Sequence, residues 1–307
     1  MVDAGFCRVE VFARSRSTLA RAHVATAEEV VAEISRRPGF CAHVDDFAQP
    51  GDKPVAGPRP PVVLWGCDPL DIPDMIEAEI AELKANGERA PRRDTPVLAG
   101  YVVSVPVSPA RFARNAAAAA WTKRLLRASL HHLRNDVAQR GGRVVSAVAH
   151  LDESRVHMHV LALPSSTPGY TANALHPGRA ARRAAQAAGQ NAVQASRAAS
   201  AALSVFVDAY HAVVGRAFGL LRRRRPSPRG RLSRRALLRL RRREVEPVAG
   251  RPAEEASAPF PRTACLWRLD DFVTGADAMV ARLGPGPGRD PAKVRTAPSE
   301  PGRGRSP

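Results

Sequence analysis

The sequence predicts an α+β protein, and three observations carry that reading. Short apolar or alternating runs recur at Phe6–Phe12, Val97–Val107, Val144–Ala149 and Val160–Leu163, with the length and period of strands. Long stretches between and after them place apolar residues every three or four positions, as helices do. One segment, His150 to His159 (HLDESRVHMH), links the last two apolar runs and holds three of the nine histidines.

In chain order, Phe6–Phe12 alternates apolar and polar residues and reads as a first strand. Ala25–Ser35 suits a short helix with Thr26 as N-cap. Pro50–Pro61 is rich in proline and glycine and reads as a loop. Pro73–Asn86 is an amphipathic helix stopped by Gly87, and Val97–Val107 is a second strand, broken at Pro106. A long helix from about Pro109 to Gln139 carries the stripe Phe112, Leu126, Leu130, Leu133 and Val137, and Gly141-Gly142 ends it. After the two histidine strands, an alanine-rich helical stretch runs from about Gly178 to Ala217, which implies thin, closely packed helix contacts.

The character changes at Leu221. Residues Arg222–Arg243 contain twelve arginines and no acid, a solvated arm that could form a weak helix on a phosphate surface. Beyond Glu244 the chain is rich in proline, glycine and arginine, with one ordered island expected at Cys265–Leu283 and disorder from about Gly284. This divides the chain into a catalytic domain over 1–221, an arginine-rich arm over 222–243 and a mostly disordered tail over 244–307.

A net charge of +18 and a pI near 11.2 favour a polyanionic partner, either nucleic acid or an anionic membrane surface. Arginine outnumbers lysine 43 to 4 and alanine and proline are abundant, a pattern that coding bias also produces, but the excess of positive charge stands regardless. No apolar stretch near twenty residues is expected to span a membrane, and no secretory signal opens the chain. The four cysteines (Cys7, Cys41, Cys67, Cys265) are far apart, which argues against a cysteine zinc site and suits a reducing cytoplasm.

His157 and His159 are two apart, so on a strand they face one way, and an antiparallel return brings His150 beside them. Three neutral imidazoles converging on one point make a metal site with open positions; the competing reading is a hairpin with scattered polar histidines. Ligand type alone leaves Mn, Zn, Ni and Fe open. Glu153 serves as a fourth ligand or orients a histidine, while Asp152 caps the loop. In so basic a protein the natural work for the ion is on a phosphodiester, attacked by water or by a side chain that leaves a covalent adduct. Tyr101 reads as strand core, Tyr170 lies in a loop placed near the metal hairpin, Tyr210 sits in a helix, and His23 lies in a polar connection after the first strand.

These residues resemble the mobilisation and plasmid recombination proteins of the MobV (Mob/Pre) class, relaxases that nick one DNA strand at a plasmid transfer origin. Their signature H-x-D-E-x-x-P-H-x-H is matched by HLDESRVHMH over His150–His159. Cys7-Arg8-Val9, the stretch Arg89–Leu98 (RAPRRDTPVL) and Phe218-Gly-Leu220 with the following arginines resemble further family segments in the right order, so the likeness spans roughly Phe6–Arg235. It implies a central antiparallel sheet flanked by helices, of the HUH-relaxase kind. It implies that His150, His157 and His159 hold a divalent metal, Mn or Mg, beside Glu153, and that His23 is the nucleophile, with Tyr101 or Tyr170 as alternatives. The DNA contacts would be Arg8, Arg92 and Arg93, and in the arm Arg222, Arg223, Arg224, Arg225, Arg234 and Arg235. The partners would be single-stranded and duplex origin DNA and other mobilisation or transfer proteins. Three departures stand out: Val156 replaces the proline of the signature, His23 is followed by Val24, Ala25 and Thr26 where the family has Asn and Arg, and Gly100 and Tyr101 stand where the family has an acidic residue just after the start of the second strand. The rival readings are a metal phosphodiesterase that uses water and a DNA-binding mobilisation accessory protein with a degenerate site.

Overall fold

The computed structural model describes residues 6–15, 25–41, 59–165 and 169–222. His23, most of the Pro50–Pro61 loop, Arg223, Arg224, Arg225, Arg234, Arg235, the Cys265–Leu283 island and the tail lie outside the described residues. Five strands form one sheet in the order β1-β3-β5-β4-β2: β1 (Phe6–Ala13), β2 (Val62–Gly66), β3 (Pro96–Ser104), β4 (Gly142–His150) and β5 (His157–Pro164). Every neighbouring pair is antiparallel. The class is α+β, with helices on both faces of the sheet.

Strand periodicity sorts the side chains into two cores. Val9, Tyr101, Val103, Ala147, Met158 and Val160 face the layer formed by α4 (Ala116–Gln139) and α6 (Ala192–Tyr210). Leu98, Val148, Leu161 and Leu163 face α1 (Ala27–Ile34) and α2 (Ile72–Ala85). Cover on both faces explains why β4 and β5 read as nearly continuous apolar runs. Histidine is the exception to that run, at the end where β4 turns into β5.

The helix boundaries have local causes. At the start of α1, Thr26 accepts from Glu29 N while the Glu29 side chain accepts from Thr26 N, a reciprocal cap. α2 buries Ile72, Ile76, Ile80 and Leu83, and Gly87 follows it with φ +77°. The helix expected over Pro109–Gln139 is two, α3 (Pro109–Arg114) and α4, because Asn115 turns extended (φ −124°, ψ 104°) and caps Ala118 N with its side chain. The alanine-rich stretch likewise divides at Gly189 (φ +76°) into α5 (Pro177–Ala187) and α6. β2 escapes the sequence reading, since its five residues follow a proline pair and form only an edge strand. Among the described residues, the helical run Ala192–Phe218 contains an 18-residue window of mean hydropathy 1.3 and so is long and apolar enough to cross a membrane by length and composition alone, where the sequence reading expects no such stretch. Alanine and valine supply that composition between isolated charges, which hides it from a search for large apolar side chains.

Gly66 closes β2 where β4 bulges between Val144 and Ser146. It adopts φ +80°, and a Cβ there would overlap the Val145 carbonyl, which accepts from Cys67 N. Gly141 also has positive φ (+74°) but open space around it. Gly66→Ala should therefore cost well over ~1 kcal/mol and more than Gly141→Ala. Urea midpoints of the two variants decide the order; equal midpoints would contradict the close packing at β2.

Candidate functional site

The β4–β5 register pairs His150 with His157 and Val148 with His159. Directly paired residues point to one face, so the three imidazoles gather on the α1 side of the sheet. Ring centroids stand 4.9 Å (His150–His157), 4.8 Å (His150–His159) and 5.0 Å (His157–His159) apart. One ligand nitrogen from each lies within 4.8 Å of the others.

Two backbone carbonyls fix the tautomers of two rings. His150 Nε2 stands 2.8 Å from the Ile34 carbonyl and His157 Nδ1 3.0 Å from the Arg155 carbonyl. Carbonyls only accept, so those nitrogens carry the hydrogens. What remains is a lone pair on His150 Nδ1 and another on His157 Nε2, and these two atoms face each other at 3.1 Å. Two lone pairs at that distance repel unless something electrophilic lies between them. Burial, then the charge of Arg36 and of His157, pushes the His150 imidazolium well down; burial, then His150 and His157, does the same to His159. Three imidazole nitrogens gathered in this way could hold a divalent cation. Nitrogens bound to one ion at about 2.0–2.1 Å stand roughly 3 Å apart. The two carbonyls are the outer partners that metal-binding histidines commonly have.

Arg36 organises the connection between the histidines, and the sequence gives no signal for it beyond its place after a helix end. Its backbone is left-handed (φ +59°), and its side chain is 2% exposed. Nε and Nη2 donate to the two oxygens of Asp152 at 2.9 and 2.8 Å, and Nη2 also donates to Glu153 Oε1 at 2.9 Å. Asp152 is thus a buried ion-pair partner, and it accepts from Arg59 N at 3.1 Å. Burial raises the Asp152 carboxyl, but the hydrogen bonds and charge of Arg36 outweigh it and hold the group below the ordinary range. Glu153 Oε1 lies 3.5 Å from His157 Nε2, beside the triad. His150, Asp152 and Glu153 also bring ligand atoms together, but the guanidinium already supplies the cation there.

A cavity of about 340 Å³ opens over the rings, lined among others by Arg8, Arg36, Ser104, Glu153, Ser154 and Arg155. Arg8 pairs with Val102, and Val102 with His159, so Arg8 occupies the same row of the sheet at the cavity rim, with Glu10 at 3.5 Å. Arg92 and Arg93 precede the other end of β3, roughly 25–30 Å from the histidines at ~3.3 Å per residue. They cannot share a phosphate with the triad. Arg222 pairs with Asp208 at 2.6 Å, beside α6 on the opposite face.

The tyrosines are not at this cavity. Tyr101 is buried among the α4 and α6 side chains and donates to the Leu175 carbonyl at 2.8 Å. Tyr210 is buried against Ser129 at 2.8 Å. Tyr170 was expected near the metal hairpin, but β5 carries the chain eight residues away from the histidines before it, and it is buried near α2. Neither Tyr101 nor Tyr170 reaches the cavity as a nucleophile.

Removing Arg36 would leave two carboxylates without their cation. Arg36→Ala should lower unfolding stability by about 3–5 kcal/mol, as loss of one partner of a buried ion pair does. Denaturant unfolding measures this, and a loss below ~1 kcal/mol would show that Arg36 does not hold the loop. No protein-family model, curated protein or solved structure matches this chain, so its chemistry is read from the site itself.

Proposed function

We propose that this chain is a metal-dependent enzyme of DNA phosphodiesters, a relaxase of the HUH kind that nicks and rejoins one strand with transient covalent attachment. The observation that carries the reading is the facing pair of lone pairs on His150 Nδ1 and His157 Nε2, with their other nitrogens held by carbonyls. The motif resemblance to MobV proteins and the charge of +18 support DNA as the substrate. His150, His157 and His159 would hold a divalent ion, Mn or Mg by that resemblance. The ion would supply Lewis-acid stabilisation of charge on a phosphate oxygen.

The chain's own residues do the rest. Arg8 at the cavity rim offers a guanidinium to a flanking phosphate, and Arg36 balances the charge of Asp152 and Glu153. Glu153, with Oε1 3.5 Å from His157 Nε2, would add a carboxylate ligand to the same ion. The nucleophile of this reading is His23, carried by the resemblance alone. A second reading, hydrolysis by water, is favoured by the cavity itself, since no tyrosine lines it among the described residues.

Two measurements together test the proposal. Purified protein should bind Mn near one equivalent, and His157→Ala should weaken that binding by more than ~100-fold while the chain stays folded. Incubated with Mn and a random-sequence pool of labelled single strands, the protein should give a nicked product and a band covalently attached to protein. Cleavage without the band would favour the water reading. Neither metal nor cleavage would leave a DNA-binding accessory protein.

A further inference from the structure

The two helical layers carry opposite charge. α1 and α2, on the histidine side of the sheet, contain seven acids and one base. The helices α3, α4, α5 and α6 contain ten bases and two acids. Both of those acids are engaged, Asp136 with Arg140 at 2.8 Å and Asp208 with Arg222 at 2.6 Å. From Thr95 to Asn135 the chain has no acid at all. A bias in codon usage would favour arginine everywhere; it would not leave one layer acidic.

On α4 the cations share one side. Arg124, Arg127 and Arg134 recur at spacings of three and seven along a single helix face, opposite the buried Leu125, Leu126, Leu133 and Val137. Like charges at the closer spacing weaken a helix by about 0.2–0.5 kcal/mol a pair, a cost that a purely structural helix avoids and a bound polyanion removes. The guanidinium of Arg134 lies 4.6 Å above the Trp65 ring of β2, which orders it before any ligand arrives. From Arg124 to Arg134 the face extends about 15 Å. At one charge per ~3.4 Å on each strand, that length meets roughly four phosphates.

We propose that the outer face of α4 is a second nucleic-acid surface, contacting the phosphate backbone on the side of the sheet opposite the histidine cavity. It does not depend on the metal. A nucleic acid suits this face better than a lipid surface. A helix lying on a membrane presents large apolar side chains beside its cations, and no large apolar residue of α4 is exposed.

The test is the double variant Arg124→Gln/Arg134→Gln in the full chain. Fluorescence anisotropy with a duplex of arbitrary sequence, across a range of salt, gives the slope of log affinity against log salt. The expected slope is shallower by about 1–2, near 0.9 for each B-DNA phosphate that the variant no longer neutralises. Lys84→Gln, on the acidic layer, should leave the slope unchanged. A double variant with the wild-type slope overturns the proposal. So does a Lys84→Gln effect as large per charge, which would mean net charge alone is at work. Binding of the wild type to phosphatidylserine vesicles, lost in the double variant while duplex binding is kept, also overturns it. His157→Ala should bind duplex with the wild-type slope even where it loses metal, so this proposal and the metal reading fail separately.

Discussion

His150 and His157 face each other across one rung of the β4–β5 ladder, and the site exists only because of that register. A slip of one residue would turn every β5 side chain to the other face, burying His157 and His159 under α4 and exposing Met158 and Val160. The apolar cost of such a slip protects the register. Met158, Val160 and Ala162 fill one core while Leu161 and Leu163 fill the other, so the histidines are held by residues that have no part in the chemistry. The same rung then meets Ile34 at the end of α1, whose carbonyl decides which nitrogen of His150 is left bare.

Arg36 extends that dependence to the loop. It sits two residues beyond Ile34, so the short stretch after α1 supplies both the carbonyl that sets His150 and the guanidinium that gathers Asp152 and Glu153. α1 is in turn fixed by its cap at Thr26 and by Val30, Val31 and Ile34 in the core. Its acidic first turn adds to the charge division across the sheet. The histidine cavity is consequently local in its positive charge, with Arg8, Arg36 and Arg155 around it, while the broad basic surface lies behind the sheet.

Much of this is legible in the amino-acid sequence. The spacing of His157 and His159, with an antiparallel return from His150, predicts three rings on one face because strand geometry has a period of two. The cap at Thr26, the stop at Gly87 and the stripe of α4 are readable for similar local reasons. What stays hidden depends on distant parts of the chain. Nothing near Arg36 announces a partner more than a hundred residues away, and Asp152 reads as a loop cap because its arginine is supplied from the end of α1. Tyr170 reads as close to the hairpin because sequence distance ignores the direction in which β5 runs. Asn115 and Gly189 break two expected helices, since a single extended or left-handed residue outweighs favourable periodicity on both sides.

The account stands on two imidazoles with fixed tautomers presenting bare nitrogens to one point. Nitrogen-15 NMR of the histidine side chains, with and without zinc as a diamagnetic ion, reads this directly. Hydrogen on Nε2 of His150 and on Nδ1 of His157 is predicted in both states, with the opposite nitrogens, His150 Nδ1 and His157 Nε2, shifting on zinc addition. Hydrogen on His150 Nδ1 in the zinc-saturated protein, or no shift at either nitrogen, would contradict it.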